Sequence, residues 1–305
     1  MRWQYLKEGD SVDIIAPASH SPDLKLSEGL GWISSLGLIP KVPHDLIDPD
    51  IFFASSLKQQ LAHFKEALYS DSKAIWCLRG GYGSMRLIPY LEKMKPPKKP
   101  KLLIGFSDIT SLHLYLNQKW NWPTLHGRTI SQLGLNIQSP DREELIEILL
   151  GRKKKKTFDQ LRPLNKFAEK DWSIKGKLVG GNLRILQSSL GTDWELEAKG
   201  KILFVEDVSE RGYSVDRMLE QLHQAKILHK GVKALVFGDF SGGDEKNGEN
   251  HIHYAIQRFA QRVNYPVLMG LPCGHGEENF ALPLNTKCEL VLGDNSHLIC
   301  DYGGK

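Results

Sequence analysis

The chain has 305 residues, of which 41% are hydrophobic and 25% are charged, and its formal net charge is +4. This composition is typical of a folded protein with one large or two ordinary domains, and it excludes extended disorder. The basic excess comes partly from two lysine-rich runs at 95–101 and 152–156. Because aromatic residues do not alternate with these lysines, we expect solvated loops rather than a nucleic-acid groove.

Two further absences bear on location. No window of the sequence approaches the ~20 apolar residues of a membrane-spanning helix, and the first ten residues lack the apolar core of a secretion signal. The four cysteines have no C-x-x-C spacing, and they are Cys77, Cys273, Cys288 and Cys300. Cysteines without such spacing are typical of free thiols, which pack as small buried apolar side chains in proteins of a reducing compartment. We therefore expect a cytoplasmic protein without a membrane partner.

The first half of the chain alternates strand-like and helix-like segments, which predicts an α/β domain with a parallel, flavodoxin-like sheet. Strands are predicted at 11–18, 38–42, 74–78 and 101–104, and helices at 21–36, 56–69 and 139–150. Each of these helices begins at a serine, and a proline follows Ser21 and Ser139. Serine at the N-cap followed by proline is a common helix start.

The second half is predicted to form a separate, β-rich domain. A lysine-rich and polar stretch at 151–175 predicts a linker, so the domains are assigned to 1–150 and 176–305. Within the second domain, strands are predicted at 201–205, 234–237, 267–271, 288–292 and 298–301. Helices are predicted within 176–192 and at 215–228 and 251–263.

The segment 101–110 presents a candidate nucleophile. A short apolar strand passes through Gly105 into Ser107 and Asp108 at the start of a helix. Glycine permits a sharp turn, and the N–H groups of a helix start can stabilise an oxyanion. The G-x-S-x-G nucleophile elbow is similar, but its second glycine is missing here. An ordinary N-cap serine is the alternative interpretation.

A glycine-rich turn at 80–83 follows the strand predicted at 74–78. It matches neither G-x-G-x-x-G nor G-x-x-x-x-G-K-[ST], so no nucleotide site is predicted there. Because the strands at 74–78 and 101–104 are expected to be neighbours in one parallel sheet, the backbone N–H groups of this turn should approach Ser107. A simple tight turn is the alternative.

A catalytic serine needs a base, and one of the eleven histidines stands out. His63 and His113 fall inside predicted helices, where structural roles are common. His251 and His253 lie two residues apart without a further ligand at recognisable spacing, so no metal site is predicted. His275 follows a strand and lies between two glycines, in a loop that can orient an imidazole.

The candidate for the third catalytic group is a carboxylate that orients the histidine. Glu206 ends the apolar strand 202–205, where a parallel sheet would deliver a side chain to the ligand-binding edge. Asp207 points the other way and is interpreted as a structural acid. An acidic residue at a strand end can also be simply a turn former.

Six motifs together resemble those of the LD-carboxypeptidases of serine peptidase family S66. They are IAPAS at 15–19, LRGGYG at 78–83, IGFSDIT at 104–110, LVGGNL at 178–183, FVEDV at 204–208 and LPCGHG at 271–276. They follow one another over nearly the whole chain. The resemblance implies a Ser-Glu-His triad with Ser107 as nucleophile, His275 as general base and acid, and Glu206 as the orienting carboxylate.

The resemblance also implies how a substrate is held. Backbone N–H groups of Asp108 and Gly81 would form the oxyanion hole, and Gly80 and Asn182 are further candidate substrate-binding positions. The implied protein is a homodimer without a cofactor, a metal or a nucleic-acid partner. It would release the terminal D-alanine of a peptidoglycan-derived tetrapeptide during cytoplasmic cell-wall recycling.

Two other functions fit the same sequence. One is microcin-immunity-type hydrolysis of a carboxyamide in a peptide-nucleotide antibiotic, which an aromatic-rich loop for base stacking would favour. No such loop lies near His275 in the sequence. The other is a non-catalytic muropeptide-binding protein on the same two-domain frame. Reactivity of Ser107 would separate a hydrolase from a binding protein.

Overall fold

A computed structural model of the protein describes residues 3–134, 139–229 and 231–303. The chain divides into two compact units. The first contains Met1–Lys154, Phe280–Leu282 and Gly303–Lys305, and the second contains Lys155–Asn279 and Pro283–Tyr302. The outer limits of the two predicted domains, residues 1 and 305, lie outside the described residues.

The helices and strands of the first unit alternate along the chain. The strands are β1 (Ser11–Ile15), β2 (Ile39–Lys41), β3 (Ala74–Cys77), β4 (Leu102–Gly105) and β5 (Thr124–His126). The helices are α1 (Asp23–Ser35), α2 (Leu57–Tyr69), α3 (Ile88–Leu91), α4 (Thr110–Lys119) and α5 (Pro140–Leu149). Short 3-10 helices lie at Ser84–Leu87, Ser107–Ile109 and Ile130–Gln132.

The rest of the chain is richer in strands. These are β6 (Lys155–Phe158), β7 (Arg162–Pro163), β8 (Ser173–Asn182), β9 (Ile202–Val208), β10 (Ala234–Ser241), β11 (Val267–Met269), β12 (Leu282–Leu284), β13 (Lys287–Val291) and β14 (His297–Asp301). The helices are α6 (Leu183–Ser188), α7 (Gly212–Gln224) and α8 (Ile252–Ala260).

The sheet of the first unit confirms the flavodoxin-like prediction. Its order is β2-β1-β3-β4-β5, all parallel, and β12 lies outside β5 at the edge. β3 and β4 are entirely buried because helices cover such a sheet on both faces, and their sequences AIWC and LLIG are accordingly apolar. These two strands are direct neighbours, so the glycine-rich turn and Ser107 leave the sheet at the same edge.

The second unit has one eight-stranded sheet of mixed direction, in the order β6-β14-β13-β8-β9-β10-β11-β7. The central strands β8 to β11 are parallel, and β13, β14, β6 and β7 are antiparallel to their neighbours. The prediction of a β-rich second half is confirmed. Glu206 lies in β9, near the middle of this sheet, where both faces are covered.

Two local predictions differ from the structure. The stretch 151–175, predicted as a linker, contains β6, β7 and the start of β8, all paired in the sheet. Its polar composition reflects edge strands with one solvent-facing side. At α1 the N-cap is Pro22 rather than Ser21. The predicted start of α5 is confirmed, with Ser139 as N-cap followed by Pro140, although the Ser139 side chain makes no capping hydrogen bond. Ser56 forms a complete capping box with Gln59 at α2.

Candidate active site

The turn at the end of β4 is made by Ser107 itself. This residue has a φ of 64°, in the left-handed region that non-glycine residues seldom adopt. Gly105, predicted to provide the turn, serves close packing instead, since a Cβ there would lie 3.1 Å from Ile109 and 3.2 Å from Cys77. Strained backbone at a polar residue is characteristic of functional sites, because the surrounding structure must maintain it.

His113 supports this turn from below. Its Nε2–H donates to the carbonyl oxygen of Gly105 at 2.8 Å, and the Gly127 N–H donates to the same oxygen at 3.1 Å. Complete burial lowers the pKa of His113 to about 4, although the hydrogen bond to Gly105 acts in the opposite direction. The imidazole is therefore neutral at neutral pH, and it fixes the end of β4.

The glycine-rich turn lies against the candidate nucleophile. A Cβ on Gly80 would lie 2.9 Å from Cβ and 3.2 Å from Oγ of Ser107. Gly81 has a φ of 96°, and a Cβ there would lie 2.6 Å from Oγ of Ser19. Both positions thus need glycine for the backbone to come this close. The role of Gly80 and Gly81 toward a substrate stays a prediction.

Asp108 ties the glycine-rich turn to the helix start. Its Oδ2 accepts the Ser84 N–H at 2.8 Å, and its carbonyl oxygen accepts the Ser84 hydroxyl at 2.7 Å. Burial raises the pKa of Asp108, partly opposed by the hydrogen bonds from Ser84. The side chain is therefore structural, whereas the predicted oxyanion role concerns the backbone N–H.

The second unit brings two predicted site residues into contact. Glu206 is fully buried in β9, and its Oε2 accepts a hydrogen bond from Nδ1–H of His275 at 2.6 Å. Gly274 has a φ of 134°, and a Cβ there would lie 2.9 Å from Cβ of Glu206. Glycine beside the histidine therefore lets the loop approach the carboxylate. The contact also fixes the ring tautomer, leaving proton transfer to Nε2.

The environment of His275 favours the charged imidazole. Burial lowers the pKa of His275, but the hydrogen bond and charge of Glu206 outweigh that effect, with smaller contributions from Asp207 and Asp239. The resulting pKa lies above the ordinary value for histidine. Such an arrangement stabilises the imidazolium that forms when a histidine accepts a proton from a nucleophile.

Asp207 and Asn182 form a separate structural cluster behind Glu206. Asp207 accepts hydrogen bonds from Asn182 Nδ2 at 2.9 Å, Arg184 N at 3.0 Å and Val208 N at 2.8 Å. Asn182 is also the N-cap of α6. Burial, followed by the charge of Glu206, raises the pKa of Asp207 to about 7. The cluster anchors α6 to β9, and a substrate contact of Asn182 stays a prediction.

Two features of the site are missing from the sequence analysis. Asp239 in β10 lies close to Gly276 of the His275 loop, since a Cβ on Gly276 would lie 2.7 Å from its Oδ2. Burial, followed by the charge of Glu206, raises the pKa of Asp239 to about 6. The sequence signal for Asp239 is that an acidic residue interrupts the apolar run 234–240. The strand formed by this run lies next to the strand of Glu206 in a parallel sheet.

The other missed feature is an aromatic cluster, formed by Phe52, Phe53 and Tyr82. The Phe53 and Tyr82 rings stack at 5.6 Å, and Phe52 stands edge-on to Tyr82 at 6.1 Å. Phe52 is 59% and Tyr82 50% exposed. Ser19 joins their backbones, because its hydroxyl donates to Phe52 O at 2.9 Å and accepts Tyr82 N–H at 3.1 Å.

The remaining histidine candidates lie elsewhere. His63 contacts Asp45, with 2.8 Å between Nε2 and Oδ1, and His251 lies 3.4 Å from Glu249. Across residues 3–134, 139–229 and 231–303, no group of three or more His, Cys, Asp or Glu side chains is arranged to hold a metal ion. All four cysteines are buried.

Comparison with known proteins identifies the family. Residues 12–127 match the model of the LD-carboxypeptidase N-terminal domain, and residues 175–290 match that of the C-terminal domain. The chain belongs to the LD-carboxypeptidases. This family, serine peptidase family S66, makes the protein a hydrolase of the carboxypeptidase type. The motif resemblance noted in the sequence is thereby confirmed.

Individual LD-carboxypeptidase relatives cover nearly all of the chain. A Rickettsia conorii protein whose given name is that of a carboxypeptidase is 37% identical over 95% of this chain and 90% of its own. The murein tetrapeptide carboxypeptidase of Pseudomonas aeruginosa is 32% identical, with 89% and 90% covered. The crystal structure of muramoyltetrapeptide carboxypeptidase from Oxalobacter formigenes superposes with a TM-score of 0.81 at 28% identity, covering 97% of this chain and all of that chain.

A more distant relative has a different named role. The microcin C7 self-immunity protein MccF of Escherichia coli is 26% identical over 82% of this LD-carboxypeptidase chain and 80% of its own. The family fold is therefore shared by proteins with unlike names. In the described part of the present chain, no helix is long and apolar enough to cross a membrane.

Proposed function

We propose that this protein is a serine LD-carboxypeptidase that removes the terminal D-alanine from a murein tetrapeptide. The observation that best supports a catalytic role is the 2.6 Å hydrogen bond from His275 to the buried carboxylate of Glu206. A buried carboxylate that accepts a hydrogen bond from Nδ1 orients an imidazole whose other nitrogen serves as general base. Family membership and the names of the relatives support the substrate class.

Ser107 is the proposed nucleophile. Its left-handed backbone and the close approach of Gly80 are the features expected where a hydroxyl is held in a fixed position. In the proposed reaction, Oγ of Ser107 attacks the carbonyl carbon of the residue before the terminal D-alanine, and Nε2 of His275 takes the hydroxyl proton. The mechanism therefore requires these two atoms to come within hydrogen-bonding distance, about 2.6 to 3.2 Å, in the reacting complex.

The tetrahedral intermediate would place its negative oxygen near backbone donors. The N–H groups of Asp108 and Gly81 are the proposed donors, with Gly80 and Asn182 as further substrate contacts. Such preorganised donors are worth about 3 to 4 kcal/mol each in serine hydrolases. Collapse breaks the carbon–nitrogen bond, and the departing amine takes the proton from His275. Water then attacks the acyl carbon while His275 accepts its proton. The ester bond to Ser107 Oγ breaks, Oγ takes that proton from His275, and the shortened peptide leaves as the free acid.

Cellular context completes the proposal. A murein tetrapeptide is a fragment of the cell wall, and a carboxypeptidase that shortens it would act in cytoplasmic recycling. We further propose that the protein works as a homodimer. Size-exclusion chromatography with light scattering tests the dimer, and fractionation of cells that produce the protein tests its location.

Stereochemistry provides the decisive activity test. The protein should release alanine from a tetrapeptide that ends in an L-centred diamino acid followed by D-Ala. It should act on the same peptide ending in L-Ala with a kcat/KM lower by roughly a hundredfold or more, because one inverted centre directs the terminal carboxylate or methyl group into the wall of the site. Chromatography of released alanine measures both rates, and the Ser107→Ala variant is the matched control. Equal rates would contradict the LD assignment.

One observation favours a second candidate, hydrolysis of a peptide-nucleotide carboxyamide. The exposed ring of Tyr82 lies on the glycine-rich turn that contacts Ser107, the exposed ring of Phe52 stands edge-on to it, and aromatic faces can stack a nucleobase. Under this alternative, an aminoacyl sulfamoyl nucleoside would be cleaved at least as fast as the tetrapeptide, and Tyr82→Ala would slow only the nucleoside reaction.

The other alternative is a non-catalytic muropeptide-binding protein. In such a protein, a fluorophosphonate would not label Ser107.

A further inference from the structure

Asp239 lies opposite Glu206 at an irregularity of the sheet. β9 and β10 are parallel, with Val205 beside Phe237 and Asp207 beside Phe240. Two residues of β10, Gly238 and Asp239, therefore lie opposite the single residue Glu206. An extra residue in one strand is a β-bulge, which redirects side chains and is common next to active sites. The bulge turns β10 toward the loop that contains His275.

β10 holds that loop at three points. The Asp239 N–H donates to the carbonyl oxygen of Cys273 at 2.9 Å. The carboxylate of Asp239 packs against Gly276, since a Cβ on Gly276 would lie 2.7 Å from Oδ2 and 2.9 Å from Cγ of Asp239. The Ser241 hydroxyl donates to the carbonyl oxygen of His275 at 3.2 Å. Asp239 thus contacts the chain on both sides of His275, through its backbone and through its side chain.

Three carboxylates of the described residues act electrostatically on the imidazole. Glu206 contacts it from β9, Asp207 acts on it from the cluster behind Glu206, and Asp239 acts on it from β10. Glu278, in the loop that follows the histidine, interacts with Asp239. Asp239 is only partly exposed, and in the described part of the chain it forms no ion pair with lysine or arginine. A carboxylate so placed lowers the free energy of a nearby imidazolium.

We propose that Asp239 is a positioning residue for the reaction, holding the His275 loop against β10 and favouring the imidazolium that forms when Ser107 gives up its proton. This inference rests on the proposed function. Glu206 orients the ring through Nδ1, whereas Asp239 fixes the backbone that bears the ring. The two carboxylates therefore have different tasks, and their removal should give different kinetic signatures.

The first test is the pH profile of Asp239→Asn. Catalysis needs neutral His275, so kcat/KM falls as the pH drops below the pKa of the imidazole. Removing the negative charge lowers that pKa, so the acid limb should move to lower pH. Asp239 itself has a pKa of about 6, so two coupled groups titrate in the wild type and its kcat/KM should fall over a broader pH range than one ionisation gives. In the variant, the fall in kcat/KM should fit the titration of a single group. Asp244→Asn, in the exposed loop after β10, is the matched control.

The second test separates geometry from charge. Gly276→Ala puts a methyl group 2.7 Å from Oδ2 of Asp239 while every charge is retained. It should lower kcat by roughly 10-fold to 100-fold through displacement of the loop, with KM little changed and the acid limb in the wild-type position. An NMR titration of ring-labelled histidine reports the pKa of His275 directly in each variant.

The outcomes distinguish this inference from the proposed function. If His275→Ala keeps wild-type activity, the proposed function fails whatever Asp239 does. If His275 is essential but Asp239→Asn keeps the wild-type acid limb and His275 titration, the inference is wrong. Should Asp239→Asn fail to fold, Asp239→Ser keeps a side-chain oxygen on β10 without the charge, and it must meet the same criterion.

Discussion

Gly80 and Ser107 are packed so closely that residue 80 has no room for a side chain larger than a hydrogen atom. A Cβ at position 80 would lie 2.9 Å from Cβ of Ser107, closer than such atoms approach in folded proteins. The two residues follow β3 and β4, which are neighbours in the parallel sheet. Their contact makes the position of Ser107, the proposed nucleophile, depend on a segment 27 residues earlier in the chain.

Gly80→Ala should therefore impair catalysis more than folding. The added methyl group would push Ser107 away from its position, and a displacement of about 1 Å can cost about a hundredfold in rate. We expect kcat/KM to fall by roughly 10-fold to 100-fold, as measured with the D-alanine release assay. Gly134→Ala is the control, because a Cβ there would lie 3.5 Å from Glu28, an ordinary contact distance. Equal losses in both variants would contradict this expectation.

Ser107→Ala and Ser107→Gly should both abolish activity, with kcat reduced on the order of 10⁴-fold or more, as when a triad member is removed. The two variants should differ in stability. Alanine retains a side chain at a φ of 64°, whereas glycine adopts this conformation without steric cost. Chemical denaturation should show the glycine variant to be more stable than the alanine variant by about 1 kcal/mol. Turnover within tenfold of wild type in either folded variant would remove Ser107 from the mechanism.

Glu206→Gln and Asp207→Asn should act on different properties. Glutamine cannot stabilise the His275 imidazolium, so kcat should fall by up to about 10⁴-fold with a modest change in stability. Asparagine at 207 has one acceptor oxygen for three N–H donors, so the free energy of unfolding should fall by about 1 to 3 kcal/mol. Steady-state kinetics and denaturant titrations on the same preparations check both. Equal kinetic defects at equal stability would contradict the division of roles.

Asp207 should also make stability depend on pH. Its pKa is about 7 in the folded protein, against an ordinary value of 3.8 for an aspartate side chain. Between these values the folded carboxyl holds a proton that the unfolded one has lost, so this group's contribution to stability is full below about pH 4 and is lost as the pH rises through 7. The free energy of unfolding of wild type should therefore decline over this range. The decline should be shallower in Asp207→Asn, and an unchanged slope would argue against a protonated Asp207.

Long apolar strands and glycine-bounded loops were predictable from sequence. β3 is a continuous apolar run, β4 is apolar up to its final glycine, and β9 and β10 each begin with four buried apolar residues. Such runs are typical of parallel strands buried on both faces, and the order of helices and strands then fixes which residues meet at the edge of each sheet. The contact of Glu206 with His275 fits this logic. The motifs around both residues also provided the family resemblance, which the domain matches confirm.

Other features had no local signal. β5 and β12 have three residues each, too few to show the alternation of polar and apolar residues that marks a strand. β6 begins within the lysine run 152–156, which is equally typical of a loop. The left-handed conformation of Ser107 and its close packing against Gly80 have no signal in the residues beside Ser107. The aromatic cluster joins positions 52 and 53 to position 82, which is distant in sequence, and the Ser19 hydroxyl bridges the backbones of Phe52 and Tyr82. Asp239 looked like an ordinary strand-end acid until the bulge beside Glu206 was visible.

β12 limits how this gene can be divided. Residues 280–282 belong to the first unit although more than a hundred residues of the second precede them, and β12 covers the outer edge of β5. A fragment ending at Lys154 would expose that edge, and unpaired strand edges promote aggregation. Split-protein complementation at this boundary should therefore fail unless the C-terminal fragment supplies the missing strand in trans. A synthetic peptide covering 278–286 would be a direct way to rescue the solubility of the N-terminal fragment.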